Sequence, residues 1–452
     1  MNSTTTTTTT TTSTGRWHAL PTEMKLAIVD NLDLDDAKAF SKADQRTYQI
    51  CVPATFKNVK LNNYISLERF LDNVPRSYFR HIQDLDLSTK GDKIATPQLT
   101  TQAQTDRLVS LLTACPGLTK LALRMTGSLD KSIIPPFANL PELKQLTVSN
   151  CAPEEQLPLS ERLVVSIAAT IPALEHLSLD NISRSKMHAP DLNGVYPTVP
   201  LVIGDEDIPD HPMLGSELSL PSLLRIPTLR NLFIRDTHLG DERWATTPVA
   251  CRLEVLDLGG CCHETEDFNR VCTERIMSTV GPTVDEFSLA TAVCDAVFAK
   301  PNVTPLQRLR KLHITPFFPL DSVVDTMTNL AGSPIESLSM QCFEEDVVDA
   351  CSALQDFLSL RVERGTPFYE KLARIDVSVT ANEESSADTT DVEERREATA
   401  RLQDFCTDLS LASVVGTVTS DTALGTARIS HPSNDQKPAT LHREPLSDFL
   451  LS

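Results

Sequence analysis

The chain has 452 residues, 40% of them hydrophobic and 23% charged, and 61 Asp plus Glu against 41 Lys plus Arg leave a formal charge of −20. An acidic balance of that size argues against nucleic acid as the main partner, because affinity for phosphate needs clustered cations. No run approaches the 18 apolar residues of a membrane span, so no membrane partner is expected either. The 11 cysteines contain no C-x-x-C pair, and with no apolar leader in the first residues the expectation is reduced thiols in the cytoplasm or nucleus.

In chain order, residues 1–16 carry nine threonines in a row, Thr4 to Thr12, a uniform polar tract with nothing to bury and expected to be disordered. Residues 17–55 read as a small helical unit. Pro21 and Glu23 suit a helix start, and Met24, Ile28 and Leu32 fall four apart on one stripe. A second helical stretch is expected over 35–48. Phe56, Val59 and Leu61 then look like a strand.

From there one pattern dominates. The spacing apolar-x-x-apolar-x-apolar recurs ten times after residue 80, from Ile82/Leu85/Leu87 to Leu372/Ile375/Val377. First positions lie 24 to 37 residues apart, with one interval of 55. Most intervals also hold a helical pattern, at 106–114, 160–170, 265–280, 320–331 and 344–360, and proline or glycine precedes several of the following strands. A helix returning antiparallel to each strand makes the strands parallel. Such units cannot bury both apolar faces alone, so they stack. The expectation is an α/β leucine-rich-repeat solenoid over 56–380, with parallel strands on the concave face and helices on the convex face. Within it, 181–220 reads as an irregular insertion whose acidic patch Asp205, Glu206, Asp207 and Asp210 is solvated. Residues 381–452 read as an acidic linker and a capping or flexible segment, with an amphipathic helix through Leu402, Phe405, Cys406 and Leu409.

The N-terminal unit and the repeats together resemble F-box leucine-rich-repeat proteins, especially the fungal group. The residues that carry the resemblance are Leu20, Pro21, Glu23, Met24, Ile28 and Leu32, followed by Asp35 or Asp36 and the run to Leu61. Ala37 stands where that family usually has leucine, and Tyr48 where it often has tryptophan. The resemblance implies a non-catalytic substrate adaptor of an SCF-type ubiquitin ligase. Leu20, Pro21, Met24, Ile28 and Leu32 would then bind a Skp-type linker and through it a cullin, and the repeats would hold a protein substrate. The alternative is a repeat scaffold or inhibitor that binds a partner without a ubiquitin link. Either way the chain is expected as a monomer within a larger complex.

No catalytic constellation, cofactor or metal site emerges. Cys261, Cys262, His263 and Cys272 lack the convergent spacing of a zinc site. Cys151 and Cys261 instead lie eight residues after the first position of their hexads, where a repeat turns a polar side chain inward. On the concave face the third and fifth hexad residues and the one after the sixth should point outward, with charges of both signs. His176, Phe233, Arg235, Asp257 and His313 are the expected substrate contacts there, Phe233 and Arg235 being of the residue types that anchor interfaces.

Overall fold

The computed structural model describes residues 15–90, 101–153, 156–189, 201–261, 265–343, 345–365, 367–380, 400, 417–421 and 426–430. Two compact units make up the chain, Met1–Pro334 and Ile335–Ser452, so the boundary falls inside the stretch expected as one array.

The first unit begins with four helices, α1 (Gly15–Ala19), α2 (Thr22–Val29), α3 (Leu34–Ser41) and α4 (Gln45–Thr55). The stretch expected as one helix over 35–48 is two, because Asp44 starts a new one: its carboxylate accepts from the amides of Arg46 and Thr47 at 2.8 and 3.0 Å. Asp33 caps α3 in the same way, accepting from the Asp36 amide at 2.7 Å.

Nine strands follow in chain order in one parallel run, β1 (Asn58–Leu61), β2 (Asp84–Ser88), β3 (Lys120–Met125), β4 (Gln145–Asn150), β5 (His176–Asp180), β8 (Asn231–Arg235), β9 (Val255–Gly260), β10 (Glu286–Leu289) and β11 (Lys311–Ile314). Every hexad of this unit ends on one of them. Equivalent positions align from strand to strand: Leu85 pairs with Leu121, Leu121 with Leu146, Leu146 with Leu177, and Leu177 with Leu232. The hexad side chains from Ile82 to Ile314 are buried. Period-two alternation turns them to one face and leaves the residues between on the other. Stacking identical columns builds a core that no single repeat could enclose.

The buried face is covered by α5 (Tyr64–Asn73), α6 (Thr101–Thr113), α7 (Glu161–Thr170) and the helices Glu266–Val280 and Val323–Asn329, with short 3-10 turns such as Lys131–Ile133 and Glu242–Ala245 in other intervals. The interval between β10 and β11 holds turns and no helix. Between β5 and β8 lies the insertion, which includes a two-residue parallel pair, β6 (Arg184–Ser185) with β7 (Leu201–Val202).

One bulge resolves the two cysteines. Across β8 and β9, Phe233 pairs with Asp257 but Arg235 pairs with Gly260, so β9 carries an extra residue. That residue shifts the phase by one, and Cys261 is buried with its thiol donating to the Ile234 carbonyl at 3.2 Å. β4 has no such bulge, so Cys151 is exposed and Asn150 occupies the inward position. The Asn150 amide oxygen accepts from the amides of Gly127 and Ala152, both at 3.1 Å, and its nitrogen donates to the Leu157 carbonyl at 3.0 Å.

In the second unit β12 (Ser337–Phe343) and β13 (Arg374–Thr380) pair in parallel with Leu338 beside Ile375, joined by the helix Val347–Arg364. That helix stops at Gly365, whose φ of 77° with ψ of −175° is a conformation open in practice only to glycine. Beyond β13 the pairing turns antiparallel, with β15 (Thr426–Ser430) against both β13 and β14 (Thr417–Asp421). The helix expected around Leu402, Phe405, Cys406 and Leu409 lies outside the described residues.

Candidate partner-binding surfaces

The N-terminal helices close a small core of Trp17, Val29, Ala37, Phe40, Thr47, Cys51 and Val52. The Trp17 ring meets Phe40 edge-on at 4.7 Å and donates its Nε1–H to the Thr47 hydroxyl at 2.9 Å. The Thr47 hydroxyl donates in turn to Asp44 at 2.6 Å, and this bond holds the Asp44 carboxyl below its ordinary range. Ala37, where the F-box family usually has leucine, is part of this core and buried.

Several large apolar side chains of this unit stay outside that core. Met24 is 53% exposed, Ile28 41%, Leu34 44% and Tyr48 38%. Met24 and Ile28 stand one turn apart on α2 and so share a face. Pro21 is exposed beside them, while Leu20 and Leu32 are half-buried. Of the five residues expected on this face, Pro21, Met24 and Ile28 lie in the open. Leu34 on α3 and Tyr48 on α4 are further exposed apolar side chains of the same helical unit, and period-four counting along α2 alone passed over them.

An aromatic cluster ties these helices to the first strand. Tyr48 stands 6.4 Å from Tyr78, Phe56 stands 5.2 Å from Tyr78 and 6.5 Å from Phe70, and Phe70 stacks on Phe79 at 5.1 Å. These contacts are worth about 0.5–1.5 kcal/mol each beyond the area they bury.

The open face of the sheet holds the other expected residues. Phe233, Asp257 and His313 lie in one row, with Ser288 between the last two. At ~4.8 Å per strand this row spans roughly 14 Å. His176 lies in the adjoining row, opposite Asn231. Phe233, His176 and His313 are half-buried, Arg235 is exposed and Asp257 is buried.

Much of the charge on this face is internally matched. Asp86 sits between Lys60 at 3.7 Å and Arg124 at 2.7 Å. Arg235 pairs with Asp257 at 3.2 Å. Glu286 holds His313 at 2.8 Å and Lys311 at 3.1 Å, contacts that bring its carboxyl down to about 2 against the opposing effect of burial. Arg235, Asp257 and His313 are therefore engaged with neighbouring strands, while His176 makes no ion pair among the described residues.

The insertion departs most from its reading as a solvated acidic loop. Asp205 is 5% exposed, and its carboxylate accepts from the hydroxyls of Ser160 at 2.6 Å and Ser185 at 2.8 Å. Beside it Arg162, 2% exposed, donates to the carbonyls of Asp205, Ile208 and Ser216, each at 3.2 Å. Glu161 accepts from the amides of Ser185 at 3.0 Å and Leu220 at 3.2 Å, near the two ends of the insertion, and burial pushes its carboxyl up to about 7. Arg184 and Arg243 both pair with Asp241. Burial, then Arg243 and Arg162, bring His188 down to about 4, because each of its ring nitrogens faces a guanidinium. The described part of the insertion thus docks on the start of α7 and on the loop after β8. Glu206, Asp207 and Asp210 remain exposed, Asp207 pairing with Lys131 at 2.8 Å.

Among the described residues no group of three or more His, Cys, Asp or Glu is placed to hold a metal ion. Cys262 and His263 lie outside them. No helix there is long and apolar enough to cross a membrane.

The chain is a mixed α/β protein with a large parallel sheet and helices, consistent with a solenoid of leucine-rich-repeat type. No protein-family model matches it, and no curated protein matches it. Among solved structures it is similar to one described as the crystal structure of the Rad7 and Elc1 complex in yeast, at 16% identity over 81% of this chain and 91% of that one, with a TM-score of 0.28. A likeness of that size leaves function to be read from the chain itself.

Proposed function

We propose that this chain is a non-catalytic substrate adaptor of an SCF-type ubiquitin ligase, its N-terminal helices docking on a Skp-type linker and the open face of its repeats holding a protein substrate. The observation that carries the reading is the shared exposed face of Met24 and Ile28, with Pro21, Leu34 and Tyr48 also exposed on the same helical unit. These side chains stay exposed on a helical unit whose core is already closed, at the head of a repeat array. Apolar area grouped in this way marks an interaction site. The F-box resemblance of the same segment names the partner, and the open sheet face offers a surface for a macromolecule.

The test is recovery of a Skp-type linker by the full chain and by Met24→Ser with Ile28→Ser. Both side chains are exposed, so the fold is unaffected. Re-exposing them in a complex costs about 2–4 kcal/mol, more than a tenfold loss of affinity. Leu20→Ala with Pro21→Ala acts in the same direction. Wild-type recovery by both pairs of variants would overturn the assignment and leave a scaffold without a ubiquitin link.

A further inference from the structure

On the open face of the first unit, charges are matched from strand to strand with one exception. Lys60, Asp86 and Arg124 form one ladder, Arg235 and Asp257 a pair, and Lys311, Glu286 and His313 a third group. Asp84 has Lys120 directly opposite on the next strand. Asp180 and Asp236 have no such partner. Asp180 ends β5 opposite Arg235, but the Arg235 guanidinium reaches the other way, to Asp257. Asp236 follows Arg235 in the left-handed region, at φ 43°, with its amide bonded to the Gly260 carbonyl at 3.0 Å. That backbone bond keeps the residue at the end of β8, exposed and one residue on from Arg235, the register partner of Asp180.

Two neighbouring carboxylates that no ion pair among the described residues engages repel each other, and burial makes that worse for Asp180. Its carboxyl is raised first by burial and next by Asp236, with Arg235 only partly offsetting them. Two residues before Arg235 on the same strand stands Phe233, the one phenylalanine, tyrosine or tryptophan at the outward positions of the first unit's open face among the described residues. Phe233 lies on β8 between Ser178 and Asp257, half-buried and with no ion pair across it. A cation placed within about 6 Å of such a ring is attracted to its face, and one placed between two carboxylates relieves their repulsion.

We infer that this part of the open face binds an extended protein segment through a lysine or arginine side chain, which Asp180 and Asp236 neutralise and Phe233 supports. The inference rests on reading the repeats as the substrate-holding part of the adaptor and gives the class of substrate: a basic segment of a partner protein. Charge complementarity selects that occupant over an acidic one. The short neutral side chains alongside, Thr147, Ser149, Ser178 and Asn231, leave room for its backbone.

The probes are a fluorescein-labelled peptide of about ten residues alternating Lys or Arg with Gly and Ser, and its Glu counterpart. Binding to the full chain is read by fluorescence anisotropy. The basic peptide is expected to bind and the acidic one not. Asp180→Asn with Asp236→Asn should weaken the basic peptide at least tenfold, and Phe233→Leu about threefold or more. A control, Asp106→Asn with Asp356→Asn, changes net charge equally at exposed helix positions and should weaken binding less than twofold. Equal losses in the two double variants would show a diffuse attraction to an acidic chain and overturn the inference, as would competition by millimolar calcium but not by potassium at equal ionic strength. Asp180→Asn should raise the melting temperature while weakening binding, so a misfolded variant is distinguishable. Linker recovery separates the two readings. Lost peptide binding with the linker retained condemns this inference if the control variant loses it equally. Basic-peptide binding, lost in the Asp180 and Asp236 double variant, by a chain that recovers no linker supports this inference and overturns the adaptor reading alone.

Discussion

Replacing Arg162 by methionine removes a buried guanidinium but keeps much of its volume. Three carbonyls, of Asp205, Ile208 and Ser216, then lose a charged donor, and the Asp205 carboxylate beside them keeps its burial with less positive charge nearby. Each orphaned buried acceptor costs about 1–3 kcal/mol. Breaking a buried ionic network from one side typically costs 3–5 kcal/mol in all. Because the three carbonyls belong to one insertion, the loss is local, and global unfolding of a chain with two units is a poor measure of it. Hydrogen exchange is better. The Ser185 and Leu220 amides, bonded to Glu161, and the Lys186 amide, bonded to the Val202 carbonyl, should lose protection by roughly a hundredfold or more at 1.4 kcal/mol per decade. Amides in β3 and β4 should not change. Wild-type protection of the insertion in Arg162→Met would refute the view that this one side chain holds it down.

Other outcomes follow from the same packing. At Gly259 an added Cβ would run into the Thr315 methyl, whose hydroxyl donates to the Gly259 carbonyl at 2.8 Å. Gly259→Ala should therefore destabilise by about 1–3 kcal/mol in a thermal melt, and adding Thr315→Ser should restore most of the loss. The acid response of the insertion should be the difference of two opposed groups. His188, held near 4 in the fold, favours the native state above its ordinary value of 6.5 and loses that advantage as pH falls toward 4. Glu161, raised to about 7, favours it below 4.5 and loses that advantage as pH rises through 7. Exchange measured from pH 5 to 8 should show Glu161→Gln losing protection on acidification, and His188→Gln gaining it. Parallel slopes in the two variants would refute the assignment.

The sheet was legible because its signal is periodic and repeated. Leu85, Leu121, Leu146, Leu177 and Leu232 keep one spacing and fall into one buried column. The insertion was not, because charges at a helix start and in a proline-rich loop ordinarily face water. Arg162 and Asp205 lie 43 residues apart, and no local pattern announces that they meet. Cys151 fails for a related reason: counting to the eighth position assumes every strand has the same number of residues, and Cys261 reaches the inward position only through a bulge that β4 lacks. On the open face, residue type picked out Phe233 and Arg235. It could not reveal that Arg235 turns toward Asp257 and leaves Asp180 and Asp236 unmatched.

Only Phe56 and Lys57 separate the end of α4 from the start of β1, and Phe56 is packed against Phe70 and Tyr78. A joint of that kind has no slack. Rotating the N-terminal helices would need Phe56 to leave its aromatic neighbours and β1 to tear from β2, so the angle between the exposed apolar patch and the first strands is set by packed rings and not by a tether. Whatever is held at one is presented to the other at a fixed span, and lengthening or softening that joint would change the reach of the molecule without touching either surface.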